Sequence, residues 1–295
     1  MGPGFKYHVA TIAAIFFALT VGLVVGSLTV SPHLVNTYKG ALKGLQSTLN
    51  TDINEKSVQI SHYQKLLDQV MPLALSHRLK GQGVAVIQLG DSSSALQAVQ
   101  TVLAMSDAKE VETISISSSL DVSDSQLQVT LDNLTQDGNV LPDSRNALVS
   151  AIAHGVIDGG NPSDGVISEL DKAGILHVEN DSYLGKPLHD IVIVGGSRGD
   201  HPDRFSEVDM PLILAFQSLG ARIVMCESLN ARVSDIQQYE DAGVDVATID
   251  DVDTRMGQFS LVYSLLGEKD HYGVKSTAHA LMPSVTPDIS TAGSR

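Results

Sequence analysis

One uncharged stretch near the N-terminus limits the folds open to this chain more than any other feature. Val9–Val30 carries no charged residue and, as a helix rising about 1.5 Å per residue, would extend about 33 Å, enough to cross a bilayer core. A cleaved signal peptide usually has a shorter apolar region and a small-residue cleavage site, a pattern that VVGSLTVS fits poorly. The stretch predicts a retained transmembrane anchor within residues 1–31, with a cleaved signal as the alternative.

The charges beside the anchor predict its orientation. Lys6 lies in the short tail before the helix, and no Lys or Arg occurs between Ser31 and Tyr38. Because positive residues favour the cytoplasmic side, we expect a cytoplasmic tail and an extracytoplasmic remainder, in a single-pass protein of the cell membrane. No second apolar stretch of spanning length follows, so a channel would need many copies of the chain.

Small residues recur at every fourth position of the anchor, ending in the GxxxG form GLVVG. At helical period they form one smooth stripe, which lets two helix backbones approach closely in lipid. The alternative is that Ala and Gly are simply common in membrane helices. The stripe predicts a pair of anchors that meet at Ala10, Ala14, Ala18, Gly22 and Gly26.

Residues 32–72 have the apolar spacing of a coiled-coil stalk. Ser31 followed by Pro32 is a good helix start, the apolar steps are mostly four and three, and Pro72 ends the pattern. A doubled four-step makes a stutter, and Lys56 occupies one position of the seam. The alternative is a single amphipathic helix packed on the globular part. The pattern predicts a parallel homodimer whose seam contains Tyr38, Leu42, Leu45, Leu49, Ile53, Ile60, Tyr63, Leu67 and Val70.

From Val84 onward, β-branched runs alternate with helical stretches. The predicted strands are VAVIQLG, ETISIS, ILHVEN, DIVIVGGS, ARIVMCE and VDVATID. Near-continuous apolar strands separated by helices indicate a mostly parallel sheet covered on both faces, so residues 73–284 are predicted to be an α/β, Rossmann-like, doubly wound domain. A Ser/Thr/Pro-rich tail, 285–295, is expected to be disordered. Glycines are expected to end four helices, at Gly155, Gly174, Gly220 and Gly267.

The composition excludes some partners. The formal net charge of −15 argues against nucleic acid and against anionic lipid surfaces as partners. The single cysteine, Cys226, rules out an internal disulfide and is expected to be a small buried residue. No nucleophile elbow, zinc signature or S-x-x-K motif occurs, so we expect a protein that is not an enzyme.

Two loops resemble ligand sites. VIVGGSRGD places Gly195, Gly196 and Gly199 after a strand, where such loops can cradle phosphate, although the spacing also suits a plain strand-to-helix turn. TIDDVDT supplies Asp250, Asp251 and Asp253, which suit a hard cation, although a loop that caps the next helix explains at least one of them. Asp253 or Thr254 is expected to provide that cap.

Copper would require soft ligands or paired histidines. Met225 and Cys226 are the one adjacent soft pair, in a strand predicted to be buried. His271 and His279 flank a glycine-containing loop and are expected to be able to meet in space. These four are the candidate metal ligands. No cofactor is established by the sequence, and copper is the candidate ligand.

The sequence resembles the MctB family of copper transporters from about Tyr7 to Pro283. The resemblance rests on the N-terminal anchor and stalk, the VIVGGS turn, and above all the C-terminal stretch DDVDTRMGQFSLVYSLLGEKDHYGVK. It implies copper transport or homeostasis at the cell envelope and establishes no catalytic residue. Related actinobacterial members resemble partners of a division-associated membrane protein, in complexes that influence peptidoglycan hydrolysis.

Three functions follow as expectations. The resemblance implies copper transport or homeostasis. The predicted anchor and seam favour a dimeric, non-enzymatic scaffold that docks a division-associated membrane protein or a wall hydrolase. The loop Gly195–Gly199 leaves a sensor for nucleotide or sugar phosphate as a further alternative.

Overall fold

The computed structural model describes residues 3–29, 32–116, 144–161, 165–172, 174–179, 185–197, 199 and 205–284. The chain divides into two compact units, Met1–Lys65 and Leu66–Arg295. The tail 285–295 and the predicted cap Ser31 lie outside the described residues. The helices are α1 (Pro3–Thr29), α2 (Pro32–Leu75), α3 (Ser93–Met105), α4 (Ser144–Ile157), α5 (Val166–Lys172), α6 (Met210–Ser218), α7 (Asp235–Asp241) and α8 (Arg255–Leu265), with a π-helical turn at Phe205–Asp209 before α6.

Helix α1 confirms the apolar N-terminal helix. Within it, Lys6–Ser27 is long and apolar enough to cross a membrane, the one such segment among the described residues. Two of its hydroxyl groups bond inside the helix, because Thr11 donates to the carbonyl of Tyr7 at 2.8 Å and Thr20 to that of Phe16 at 2.6 Å. Such internal bonds suit a hydrocarbon environment, where no water can replace them. An anchor and a signal sequence both fit this helix.

Helix α2 corrects the predicted end of the stalk. It continues through Pro72 to Leu75, although an interior proline removes one backbone hydrogen bond at a cost of about 3 kcal/mol. The continuation buries Met71 and Leu75, which are 4% and 0% exposed, in the core of the second unit. Burial of these two side chains offsets the missing bond. The last turns of α2 therefore belong to the α/β unit.

The second unit contains a seven-stranded sheet of order β3-β2-β1-β4-β5-β6-β7. All neighbours are parallel except β2 and β3, which confirms a mostly parallel α/β fold. The first six strands have the order of doubly wound nucleotide-binding folds, with β3 reversed. The strands are β1 (Gly83–Gln88), β2 (Glu110–Ile116), β3 (Leu176–Val178), β4 (Asp190–Val194), β5 (Arg222–Cys226), β6 (Ala247–Ile249) and β7 (His271–Tyr272).

Two cores cover the two faces of the sheet. One packs helices α4 to α7 against residues such as Ile87 and Ile193, and the other packs α3, α8 and the end of α2 against residues such as Val86 and Val192. Successive residues of a strand point to opposite faces, so both sets must be apolar when both faces are covered. This arrangement explains the near-continuous apolar runs in the sequence.

The predicted glycine caps are confirmed at three positions and wrong at one. Gly174, Gly220 and Gly267 follow helix ends with positive φ angles, whereas Gly155 lies inside α4. A Cβ at Gly155 would lie 2.9 Å from the side chain of Ile167 on α5. Gly155 is therefore a packing residue that lets two helices approach.

The C-terminal part adds two findings. Thr254, and not Asp253, caps α8, because its hydroxyl accepts a hydrogen bond from the Gly257 amide at 3.1 Å. Strand β7 was not predicted, because two residues of mixed polarity give no periodic signal. Its pairing with β6 brings the HYGVK segment onto the edge of the sheet.

Candidate functional site

A cavity of about 910 Å³ lies at the carboxyl ends of the central strands. After β1 the chain moves to β2 on one side, and after β4 it moves to β5 on the other. The point where the direction reverses leaves a crevice between β1 and β4, the usual ligand position in open α/β sheets. We call this space the switch-point cavity; it is lined by Gln88–Asp91, Ser115, Ile116, Asp171, Gly174–His177, Ser197, Phe205, Asp209, Val233–Asp235, Gln237 and Gln238.

Leu89 and Gly90, which line the switch-point cavity, belong to a close contact between two strand ends. Gly90 follows β1, and the amides of Leu89 and Gly90 both donate to the carbonyl of Val194 at 2.9 Å. A Cβ at Gly90 would lie 2.6 Å from the backbone of Gly195 and closer still to the carbonyl oxygen of Gly196. Glycine at position 90 therefore sets the spacing of the two strand ends.

The predicted phosphate loop holds a carboxylate of the protein itself. The amide of Gly196 donates to Asp235 Oδ2 at 2.5 Å, and a Cβ at Gly195 would lie 2.6 Å from the same oxygen. Asp235 thus occupies the position at which a phosphate oxygen would meet this turn. Beyond the turn, Ser197 pairs with Val233 in an isolated bridge. Of the predicted glycines, Gly195 and Gly196 lie at this contact, and Gly199 accepts from the Ser197 hydroxyl at 2.5 Å.

Glu227 is the most deeply buried charged residue of this region, with a side chain that is 0% exposed. Its Oε1 accepts from Lys275 Nζ at 2.6 Å and from the Ser234 hydroxyl at 2.8 Å, and its Oε2 accepts from the Asp235 amide at 3.1 Å. Burial raises the pKa of Glu227, while the hydrogen bond and charge of Lys275 act in the opposite direction. The charged form of the buried Glu227 carboxylate is therefore stabilised chiefly by Lys275.

Asp250 binds the backbone of the HYGVK segment. Its two oxygens accept from the amides of Val274 and Lys275, each at 2.9 Å. Gly273, at φ +138°, is required here, because a Cβ would lie 2.7 Å from Asp250 Oδ2 and nearer still to the other carboxylate atoms. Asp250 therefore holds the chain after β7 against the end of β6.

The other two carboxylates of TIDDVDT have separate partners. Asp253 accepts from the Ser228 hydroxyl at 2.7 Å and from the Leu229 amide at 2.8 Å. Asp251 accepts from the Thr254 hydroxyl at 2.9 Å, and burial raises its pKa, which favours the protonated acid. Asp250 and Asp253 therefore tie different loops together, whereas Asp251 bonds within its own loop. We call Glu227, Asp250, Asp253 and Lys275 the polar clamp.

The predicted soft ligands do not converge. Cys226 is buried, as predicted, its sulfur donates to the carbonyl of Ile193 at 3.4 Å, and burial raises its pKa. Met225 lies in the core on the opposite face of the sheet. Met225 also aligns with Thr248 and His271 across β5, β6 and β7, so Thr248 stands between the two candidates.

The two histidines do meet, as predicted. The rings of His271 and His279 lie 4.7 Å apart between centroids in a T-shaped arrangement. His271 Nδ1 is 2.8 Å from the Thr248 hydroxyl and 3.3 Å from Glu240 Oε1, and His279 Nδ1 is 2.9 Å from Asp270 Oδ1. The His271 amide and the His279 ring hold the pKa of Asp270 below its usual value. In the part of the chain that is described, no group of three or more His, Cys, Asp or Glu side chains is placed to hold a metal ion.

The polar clamp and the switch-point cavity form one continuous network. Lys275 binds Glu227, Glu227 binds Ser234 and the Asp235 amide, and Asp235 binds Gly196 at the cavity wall. Glu227 and Asp235 were not predicted from the sequence as site residues. A charged residue directly after an apolar strand, in ARIVMCE, was the available signal for Glu227.

Comparison with known proteins gives one family. The family model described as "Copper transport outer membrane protein, MctB" matches residues 4–283, which is nearly the whole chain. No curated protein matches the chain. The matched range includes all of α1 except Pro3, together with α2, the sheet, the polar clamp and His279.

Proposed function

The chain belongs to the MctB family, and from this premise we propose that it acts in copper handling at the cell envelope as a membrane-anchored homodimer. In this proposal α1 is a retained anchor with a cytoplasmic N-terminus, and α2 pairs with its copy as a parallel coiled coil. The role is binding and assembly, without catalysis. The family match supports the copper role, and the observation that carries the homodimer is the exposed apolar seam of α2.

The seam of α2 is apolar and open in the single chain. Seam side chains between residues 38 and 63 are more than half exposed, at values such as 64% for Leu42 and 62% for Ile53. An apolar stripe of this length on a helix in water requires a partner surface. Its spacing of threes and fours fits a second copy of the same helix. Leu67 differs from the prediction, because it is already half-buried in its own chain.

The anchor offers a matching surface. Ala14, Ala18, Gly22 and Gly26 are exposed along α1, and a Cβ at either glycine would meet nothing within 4 Å. Small residues at this spacing support close approach of two helices in lipid. The stripe in α1 and the seam of α2 thus favour the same parallel homodimer.

Cysteine cross-linking tests the seam in the full chain in membranes. Cys226 is buried, so one introduced cysteine would be the reactive thiol. We expect Leu49→Cys to cross-link to its copy under diamide, because a parallel coiled coil places a seam residue opposite itself. Ser47→Cys, on the outer face of the same turn, is the matched control and should give on the order of tenfold less product. Equal yields at the two positions, or none at either, would contradict the parallel dimer.

Copper content tests the copper role in the native host. We expect cells without the protein to hold more copper than wild-type cells under copper load, and the intact gene to restore the wild-type level. Elemental analysis of washed cells measures this content. Unchanged copper content and unchanged copper sensitivity would remove copper handling from the proposal, whatever the cross-linking result.

A docking scaffold is the second candidate function. The dimer proposed from the α2 seam would present two α/β units to a division-associated or wall-remodelling partner. A sensor for nucleotide or sugar phosphate is the weaker candidate, because Asp235 occupies the turn at Gly196.

A further inference from the structure

We propose that His271 and His279 form a two-coordinate Cu(I) site, with the Nε2 atom of each ring as ligand. This inference rests on the proposed copper role and names the residues that would hold the ion. The two rings are 4.7 Å apart although their residues are separated by a loop. His279, with a side chain that is 65% exposed, has room to adjust its position toward His271 when an ion binds.

Both rings are oriented by hydrogen bonds at the same atom. His279 Nδ1 faces Asp270 Oδ1 at 2.9 Å, and His271 Nδ1 faces the Thr248 hydroxyl at 2.8 Å. A histidine that donates its Nδ1 hydrogen to an oxygen keeps the lone pair on Nε2, the arrangement usual for metal-bound histidine. The Asp270 carboxylate also accepts from the His271 amide at 2.8 Å, so it ties both residues together.

The loop that carries His279 is fixed at both ends. The amides of His279 and Ala280 donate to the carbonyl of His271 at 2.8 and 3.2 Å, and the Gly273 amide donates to the carbonyl of Ala280 at 3.0 Å. Between these bonds, Lys275 is held by Asp250 and Glu227 of the polar clamp. The clamp thereby keeps the two rings together before any ion binds, which lowers the ordering cost of binding.

The number of donors points to the ion. Structural zinc sites take four ligands, whereas no third His, Cys, Asp or Glu in the described ranges joins this pair in a group suited to a metal. Cu(I) accepts two donors, and imidazole suits copper. Cys226 and Met225 lie in the two cores and add no sulfur ligand.

An anaerobic Cu(I) titration of the full chain in detergent, against the competing chelator bicinchoninate, tests the site. We expect one Cu(I) per chain, and His279→Ala should weaken binding tenfold or more. The matched control is His154→Ala, which removes another exposed histidine bound to a carboxylate, since His154 Nδ1 lies 2.8 Å from Asp158 Oδ2. It should leave the affinity within twofold of the wild type. Because His279 is exposed, its replacement should leave the thermal unfolding of the chain unchanged.

Two results would overturn the site: no Cu(I) binding by the wild-type chain, or equal affinity in His279→Ala and the wild type. Zinc binding as tight as Cu(I) binding would also contradict the two-coordinate assignment. The Cu(I) titration and the measurement of cellular copper content test the site and the proposed function independently. Loss of Cu(I) in His279→Ala with normal copper content in cells without the protein would keep the site and reject the cellular role, and the reverse pair of results would keep the role and reject the site.

Discussion

Lys275→Met is expected to lower the free energy of unfolding by about 3–5 kcal/mol at neutral pH, because it leaves a buried carboxylate without its cation. Lys275 Nζ lies 2.6 Å from Glu227 Oε1, and the Glu227 side chain is fully buried. Urea denaturation of the full chain in detergent, followed by pulse proteolysis, measures the loss. A loss below about 1 kcal/mol, the usual range of an exposed ion pair, would contradict this account.

The double variant Glu227→Gln/Lys275→Met is the control, because it removes both charges and should recover more than half of the loss. The single variant should also depend on pH. Burial raises the pKa of Glu227, and removal of Lys275 removes the main opposing effect. The folded state then binds a proton more tightly than the unfolded state, so stability falls as pH rises above the unfolded value of about 4.3. The deficit of Lys275→Met should therefore be smaller at pH 5 than at pH 8.

Gly90→Ala is expected to destabilise the α/β unit by about 3 kcal/mol or more, because the added methyl group meets backbone atoms that cannot turn aside. The Cβ would lie 2.6 Å from the Gly195 carbonyl carbon and oxygen. The overlap can be relieved only if the ends of β1 and β4 separate beside the switch-point cavity, which Gly90 lines. The same denaturation experiment measures the effect.

Gly160→Ala is the matched control for this prediction. A Cβ at Gly160 would meet one atom, Gly165 Cα, at 3.8 Å, an ordinary contact. We expect a change within about 0.5 kcal/mol, the range of a substitution without a special contact. If the two alanine variants have equal stability, the contact between the ends of β1 and β4 is not rigid.

Much of the fold could be predicted from local patterns. The apolar runs predicted β1 to β6, because strands buried on both faces are almost continuously apolar. The uncharged N-terminal stretch predicted α1. The strand order could not be read, because order depends on crossovers and not on the strands themselves. Pro72 was misread because its local cost is offset by the distant core around Met71 and Leu75. Gly155 was misread because close packing and helix ending both select glycine.

The site was predicted less well than the fold. His271 and His279 are eight positions apart, and their meeting could be expected because a short loop joins them. The pair of Glu227 and Lys275 joins the end of β5 to the segment after β7, and no periodicity connects such distant positions. Asp235 could not be foreseen at Gly196, because the sequence motif indicates an anion without saying whether the protein supplies it.

The late position of the polar clamp has a consequence for biosynthesis. The ribosome makes β7 and Lys275 after every other strand of the sheet, so a nascent chain carries β6 as an open edge and Glu227 without its cation until the last segment arrives. A chain that ended before β7 would keep the unpaired edge of β6 and the unneutralised charge of Glu227. Its open strand edge would be accessible to proteases and prone to aggregation. The HYGVK segment thus completes the sheet edge and the buried ion pair last, so we expect finished chains to be more stable than truncated ones.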